Sequence, residues 1–176
     1  HWRHNRDLSG YNILSMGIWY EAMIRWAGRA TKVMAMTKVN ASYRIDDNGN
    51  RVGVTIPDHV DVLCELANGA QAHIRVSAAT GLSPGNDIWL YGSEGTLHLD
   101  GKLNLFGGRR GDTQLSEITN PPEGQYAWRV EQEFVGAIRG EETIVHTPFD
   151  VGVHYMEFTE AVTRSAQEGR TISLPL

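Results

Sequence analysis

Asp58 to Thr80 carries the pattern that most restricts what this chain can fold into. On its first arm Val60, Val62, Cys64 and Leu66 alternate with polar Asp61 and Glu65. On its second, Ala72, Ile74, Val76 and Ala78 alternate with Gln71, His73, Arg75 and Ser77. A period of two puts all the apolar residues on one side of a pleated ribbon, so one face meets a core and the other does not. Asn68-Gly69 joins the arms, and that dipeptide predicts a type I′ turn, in which both central residues take positive φ. The pair therefore reads as an antiparallel hairpin that must be covered on one side.

The covering elements are helical. Leu8 to Gly28, LSGYNILSMGIWYEAMIRWAG, begins as a loop and turns helical from Ile13. Leu14, Ile18, Ala22 and Trp26, joined by Met23, recur at helical spacing and are the expected core stripe. Asn12 is the expected N-cap and Gly28 the stop, with Arg25 favourable in the last turn. Gly17 inside the helix implies either a close approach or a tolerated weak position. A second helix is predicted over 127–139, with Val130, Phe134, Val135 and Ile138 as its apolar stripe. A third runs over 150–167, with Val151, Tyr155, Phe158 and Val162 inward. Strands are predicted over 32–45, 88–91, 96–99, 103–106 and 171–174, and 107–124 reads as irregular. Helix, several strands, two helices and a strand give no β-α-β alternation. The expected class is α+β: an open, mostly antiparallel sheet with helices packed on one face, in one domain spanning 1–176.

Composition excludes several functions. A formal charge of −5 argues against general binding to nucleic acid or an anionic membrane, which needs a basic surface. One cysteine, Cys64, excludes an internal disulfide framework and a thiolate zinc cluster, and reads as a reducing, cytoplasmic setting. No apolar run approaches a membrane span. The chain opens on HWRHNRD without an initiator Met. It reads as a fragment or excised domain, the alternatives being an upstream-processed chain or a residual tag.

Catalytic motifs are sparse. No G-x-G-x-x-G follows a strand and opens a helix, and no Walker loop is present, so no NAD or other dinucleotide is expected to bind this chain alone. Gly92-Ser93-Glu94-Gly95 lies between strands. No G-x-S-x-G elbow supports Ser15 as a nucleophile. Cys64, on an apolar strand face, reads as a small buried hydrophobe. His1 and His4 form H-x-x-H without further ligands, so no metal site is expected. Glu131, Glu133, Glu141 and Glu142 read as solvated charges. His154 is the one candidate proton carrier on the chain, against a plain helix-surface role.

Three stretches in order resemble the C-terminal domain of the Gfo/Idh/MocA family, the glucose-fructose oxidoreductases and inositol dehydrogenases. They are the loop-helix 8–28, IWLYGSEGTLHLD over Ile88 to Asp100, and EFVGAIRG followed by the last helix and SAQEGRTISL. The resemblance implies an N-terminal Rossmann domain, outside this chain, that binds NAD or NADP. It implies that the present domain contacts a sugar, polyol or related carbohydrate substrate, and that its open sheet face makes a homo-oligomer. The polar strand face with Asp61, Glu65, His73 and Arg75 is then an interface rather than a solvated surface, and the residues alone leave both open.

The family's loop-helix carries an Asp and, four residues on, a His, which surround the reacting hydroxyl together with a Lys from the missing domain. Here those positions are Ser15 and Trp19, and of three glycines only Gly10 remains. Ser15 is a poor proton acceptor near neutrality, and Trp19 donates one hydrogen bond and cannot relay protons. What carries over is position. Trp2, Arg3, Tyr11, Asn12, Ser15 and Trp19 are the candidate substrate-binding residues, with core packing the alternative for Trp19. Two functions remain: half of an NAD(P)-dependent oxidoreductase, or a carbohydrate-binding or assembly module that has lost catalysis.

Overall fold

The computed structural model describes residues 2–83, 85–121, 128–146 and 148–176. Their contacts divide into two compact units, His1–Thr80 with Glu133–Leu176, and Gly81–Gln132.

The first unit is built on strands β1 (Ala30–Lys38), β4 (His59–Leu66) and β5 (Gln71–Ser77), with β2 (Tyr43–Ile45) and β3 (Arg51–Gly53) as a separate ribbon and β10 (Ile172–Ser173) at the chain's end. The four-stranded sheet has the order β10-β1-β4-β5, antiparallel throughout. Helices α2 (Met16–Trp26) and α4 (Phe149–Glu168) pack over one face of it. The chain is therefore α+β, with helices gathered on one side of an open antiparallel sheet.

The alternation in 58–80 is realised. Val60, Val62, Cys64 and Leu66 are buried, and the Cys64 thiol is pushed up to about 12 by that burial. The turn differs from expectation. Gly69 alone has positive φ, Leu66 accepts from the Gly69 N–H at 2.9 Å, and the Leu66 N–H reaches Ala70 at 2.8 Å. This is a three-residue loop, a turn followed by a left-handed glycine, and Asn68 contributes its Oδ1 to the Ala70 N–H instead of a positive φ.

The strand expected over 32–45 is interrupted after Lys38, and the reason is Asp58. Its buried carboxylate accepts from the Asn40 N–H at 2.8 Å, the Asn40 side chain at 2.9 Å and the Ala41 N–H at 2.9 Å. The hook takes 39–42 out of the ladder and releases the chain into β2. Burial alone would raise the Asp58 pKa, but these donors and nearby Arg44 outweigh it and hold the carboxyl below its usual range.

Helix α2 begins at Met16, three residues later than the periodicity predicts, because Leu14 stands at φ 51° and cannot continue a right-handed helix. Its inward stripe is Met16, Gly17 and Tyr20, with Met23 and Ala27 packed behind, while Ile18 is 59% exposed and Trp26 also faces out. Both stripes have helical spacing, and the sheet selects the one bearing Tyr20. That ring stacks on Phe158 of α4 with centroids 3.6 Å apart, and its hydroxyl accepts the Ala30 N–H at 3.0 Å. Stacking of this kind adds about 0.5–1.5 kcal/mol beyond the area buried. Helix α4 follows expectation: Phe158 and Val162 are buried, and Gly169 ends it at φ 66°. Ser165 ties its last turn to the sheet, donating to the Arg170 carbonyl and accepting from the Ala35 N–H.

Helix α3 (Val130–Arg139) corrects two expectations. Phe134, Val135 and Ile138 face outward, and the buried residues are Glu133 and Gly136. Glu133 is not a solvated charge. Its carboxylate takes the Val145 and His146 backbone N–H groups and the His146 ring nitrogen Nδ1. Ala127, the expected first residue of this helix, lies outside the described residues.

The second unit is a four-stranded antiparallel meander, β6 (Ile88–Tyr91), β7 (Gly95–Leu99), β8 (Leu105–Arg109) and β9 (Ser116–Glu117). Part of the stretch read as irregular is thus strand: β8 extends to Arg109, and β9, of two residues, forms where only loop was expected.

Candidate functional site

The loop before α2 is assembled from local hydrogen bonds. Asn5 caps the short helix α1 (Arg6–Ser9) through the Asp7 N–H, and the Ser9 hydroxyl bonds the carbonyls of Arg3 and Asn5. Gly10 follows at φ 57°, ψ −137°, a conformation open only to glycine. Arg3 lies over the Trp2 ring and Arg6 over the Tyr11 ring, at 4.5 and 4.9 Å. Ile13 is buried and anchors the loop to the core, while the next residue, Leu14, is held left-handed. Backbone strain at a non-glycine residue costs about 1–3 kcal/mol and persists where surroundings over-determine it.

One candidate, Asn12, lies against Gly17. A Cβ there would stand 3.3 Å from Asn12 Oδ1 and 3.5 Å from the Thr159 methyl. The glycine therefore marks a close approach, by the Asn12 side chain and by α4. Asn12 Oδ1 is buried and accepts no hydrogen bond among the described residues. Ser15 occupies the N-cap of α2, yet its hydroxyl makes no capping bond. The Ser15 hydroxyl thus satisfies none of the first turn's N–H groups. Trp19, one turn on, projects from the Ser15 face, and both are half-buried.

The arrangement offers hydrogen-bond donors and a large aromatic surface. A hydroxyl and an indole N–H can hold an oxygen and cover a ring, but neither accepts a proton at neutral pH. His154 does not join them. Its Nε2 faces the Arg29 guanidinium at 2.5 Å, and Nδ1 lies 3.6 Å from Glu157. Arg29 follows the C-terminal end of α2, whereas Ser15 stands at its N-terminal end. Trp2 is half-exposed in a 3-10 turn, Trp2–His4.

The sheet face turned away from the helices is a second feature. Rows run across it as Lys38–His59–Ser77, Met36–Asp61–Arg75, Met34–Leu63–His73 and Lys32–Glu65–Gln71. Met36 is 77% exposed, with Met34 and Leu63 beside it. Asp61 gathers His59 at 2.7 Å, His73 at 3.0 Å and Arg75 at 3.4 Å. Burial would raise its pKa, and these neighbours pull it below the usual range.

The Gly92–Gly95 stretch turns β6 into β7 and opens no helix, so it provides no helix N-terminus for a pyrophosphate. Among the described residues no three His, Cys, Asp or Glu side chains converge as a metal site. No described helix is long and apolar enough to cross a membrane.

The family model for the GFO/IDH/MocA C-terminal domain matches residues 1–98, more than half of the chain and all of the loop-helix. The chain belongs to this family. Solved structures share the fold over nearly the whole chain. An NAD-binding oxidoreductase from Klebsiella pneumoniae is 20% identical over 100% of this chain and 54% of its own, with a TM-score of 0.80. Levoglucosan dehydrogenase in complex with NADH and levoglucosan is 18% identical over 100% and 54%, with a TM-score of 0.82. The WlbA dehydrogenase from Bordetella pertussis, in complex with NADH and UDP-GlcNAcA, is 19% identical over 92% and 44%, with a TM-score of 0.65. The chain spans about half the length of these structures. No sequence among the curated proteins matches it.

Sequence reasoning missed the carboxylates at Asp58 and Glu133 as organising groups. Their partners lie 17–18 and 12–13 residues away, beyond any local motif. It also passed over Trp89 and Tyr91, the exposed aromatics of β6, whose i, i+2 spacing is the signal that finds them.

Proposed function

We propose that this chain is the substrate-binding and oligomerisation half of an NAD(P)-dependent oxidoreductase acting on a sugar, polyol or related carbohydrate derivative. The observation that carries the reading is the N-terminal turn of α2. Ser15 and Trp19 stand one turn apart there, with an uncapped helix start beside them. A substrate hydroxyl seated at that end meets the Ser15 oxygen and helix N–H groups, and the Trp19 ring covers the sugar. Support comes from membership of the family, and from structures of the same fold that hold NADH with levoglucosan or a nucleotide sugar.

NAD or NADP is held by a Rossmann domain outside this chain and supplies the hydride chemistry when bound. Ser15 and Trp19 orient the substrate and exclude water. Asn12, with its unused acceptor, and Tyr11, Arg3 and Trp2 extend the wall. Proton transfer falls to the lysine of the N-terminal domain, because His154 is engaged by Arg29 at the other end of α2. The outer sheet face, with Met34, Met36 and Leu63 at its middle, joins two copies of the domain. The setting is cytoplasmic.

Ser15 and Trp19 in place of an Asp and a His favour a second reading, a carbohydrate-binding or assembly module without catalysis. The upstream sequence and NADH fluorescence of the polypeptide it encodes separate the two. A strand, G-x-G-x-x-G and helix, with saturable NADH binding, supports the enzyme. Absence of both supports the module.

A further inference from the structure

The strip of aromatic rings on the second unit is unused by the function above. Trp89 and Tyr91 alternate along β6 and share one face, with centroids 5.9 Å apart and planes 9° from parallel. Trp89 stacks on its cross-strand partner His98 at 3.9 Å and 12°, and His98 continues to Phe106 at 5.9 Å. Asp87 locks the first pair: its carboxylate accepts the Trp89 indole N–H at 3.0 Å and binds His98 Nε2 at 2.5 Å. The platform is thus fixed before any ligand arrives. It is also open, since Tyr91 is 77% exposed and Trp89 is 42% exposed.

The next row of the same face is Tyr91–Thr96–Gly108. Gly108 has no side chain, and the loop after β8 closes down on it. A Cβ there would lie 3.1 Å from the Leu115 side chain and 3.3 Å from the Gln114 carbonyl. Between that loop and the aromatic pair is a shallow depression, open to solvent, of about 560 Å³, lined by Trp89, Tyr91, Thr96, Arg110, Asp112 and Gln114 among others.

We propose that this open aromatic platform binds a pyranose ring, stacked on Trp89 and Tyr91 with its hydroxyls turned to the loop 110–115. The C–H face of a sugar carries positive partial charge and suits the negative face of an indole or phenol ring. Each sugar hydroxyl both donates and accepts, and the rim supplies both kinds of partner. Arg110 donates, Asp112 accepts, and Gln114 and Thr96 do either. The Asp112 carboxylate also takes the Arg109 backbone N–H at 2.7 Å, which fixes it at the rim. Single-stranded nucleic acid is the other common guest of stacked aromatics, but it needs a basic groove, and this chain carries a net charge of −5. The inference stands independently of the loop-helix reading, since no residue is shared.

The test is NMR titration of the ¹⁵N-labelled chain with a panel of methyl pyranosides and glucuronic acid. Mannitol serves as an acyclic polyol without a ring face, and adenosine monophosphate as a nucleobase. A saturable shift of the Trp89 indole N–H with at least one pyranose is expected, with a Kd of about 1 mM, and no saturable shift with mannitol. Tyr91→Ala, at an exposed position, should weaken binding about tenfold, the loss of one well-placed ring. Arg110→Ala should weaken it as well. Four results would overturn the proposal: no saturable shift with any pyranose, equal shifts with mannitol, a response confined to adenosine monophosphate, or Tyr91→Ala converting an oligomer to a monomer without altering sugar shifts. The last would assign the strip to a second copy of the chain.

Discussion

Gly95→Ala tests why the β6–β7 turn ends in glycine. A Cβ at Gly95 would lie 2.3 Å from the Gly108 carbonyl oxygen and 3.2 Å from the Arg109 Cα, both backbone atoms on the neighbouring strand. No rotamer change relieves such a contact. Restoring an ordinary separation of about 3.4 Å requires β7 and β8 to part by about 1 Å, enough to break hydrogen bonds that weaken beyond about 3.2 Å. Overpacking typically costs about 1–3 kcal/mol, and a backbone clash places this substitution at the upper end. The control is Gly92→Ala, where the nearest atom would be the Gly95 oxygen at 3.4 Å, an ordinary contact. Hydrogen exchange at the amides of β7 and β8 reads the difference locally. A loss of about 3 kcal/mol lowers protection roughly 100-fold, whereas Gly92→Ala should change it by less than about threefold. Equal protection in the two variants would refute the argument that strand approach selects glycine at position 95.

Asp58→Asn should cost about 2–3 kcal/mol at pH 7, because an amide cannot replace a carboxylate facing three N–H donors. The folded pKa of Asp58 is depressed, so its contribution is complete above the unfolded value of about 3.9 and is lost as pH falls through the lower folded value. Urea unfolding should show the gap between wild type and variant closing at acidic pH, and a gap independent of pH would contradict this. Met36→Glu, at a position 77% exposed in the single chain, should leave folding intact but raise any dimer Kd at least about 100-fold by placing a charge inside the joined sheet faces. Sedimentation velocity unchanged by this substitution would remove the sheet face from the assembly.

The hairpin 58–80 was legible because alternation is a local signal with one geometric meaning, and the last helix because its stripe agrees with its Gly169 cap. The start of α2 was not legible. Nothing local shows that Leu14 will be left-handed, or that Asn12 will lie over Gly17 instead of capping the helix. Helix α3 misled for another reason: an apolar stripe at helical spacing implies a partner without naming one, and in the described residues Phe134 and Ile138 lie exposed. The break after Lys38 depends on a carboxylate far along the chain. At the candidate site, residue identity excluded Ser15 and Trp19 as proton carriers, but only the fold shows that the Ser15 hydroxyl leaves its helix uncapped and that His154 stands at the opposite end.

The central claim is that the α2 face binds substrate while the cofactor and the proton carrier come from elsewhere. Steady-state kinetics on the polypeptide joining this domain to its N-terminal half, with a sugar and polyol panel and either NAD or NADP, tests it most directly. Sugar-dependent nucleotide reduction is expected, and Trp19→Ala should raise KM about 10- to 100-fold with kcat little changed, the signature of lost binding rather than lost chemistry. Reduction with KM and kcat both indifferent to Trp19→Ala and Ser15→Ala, or no sugar-dependent reduction at all, would contradict the account.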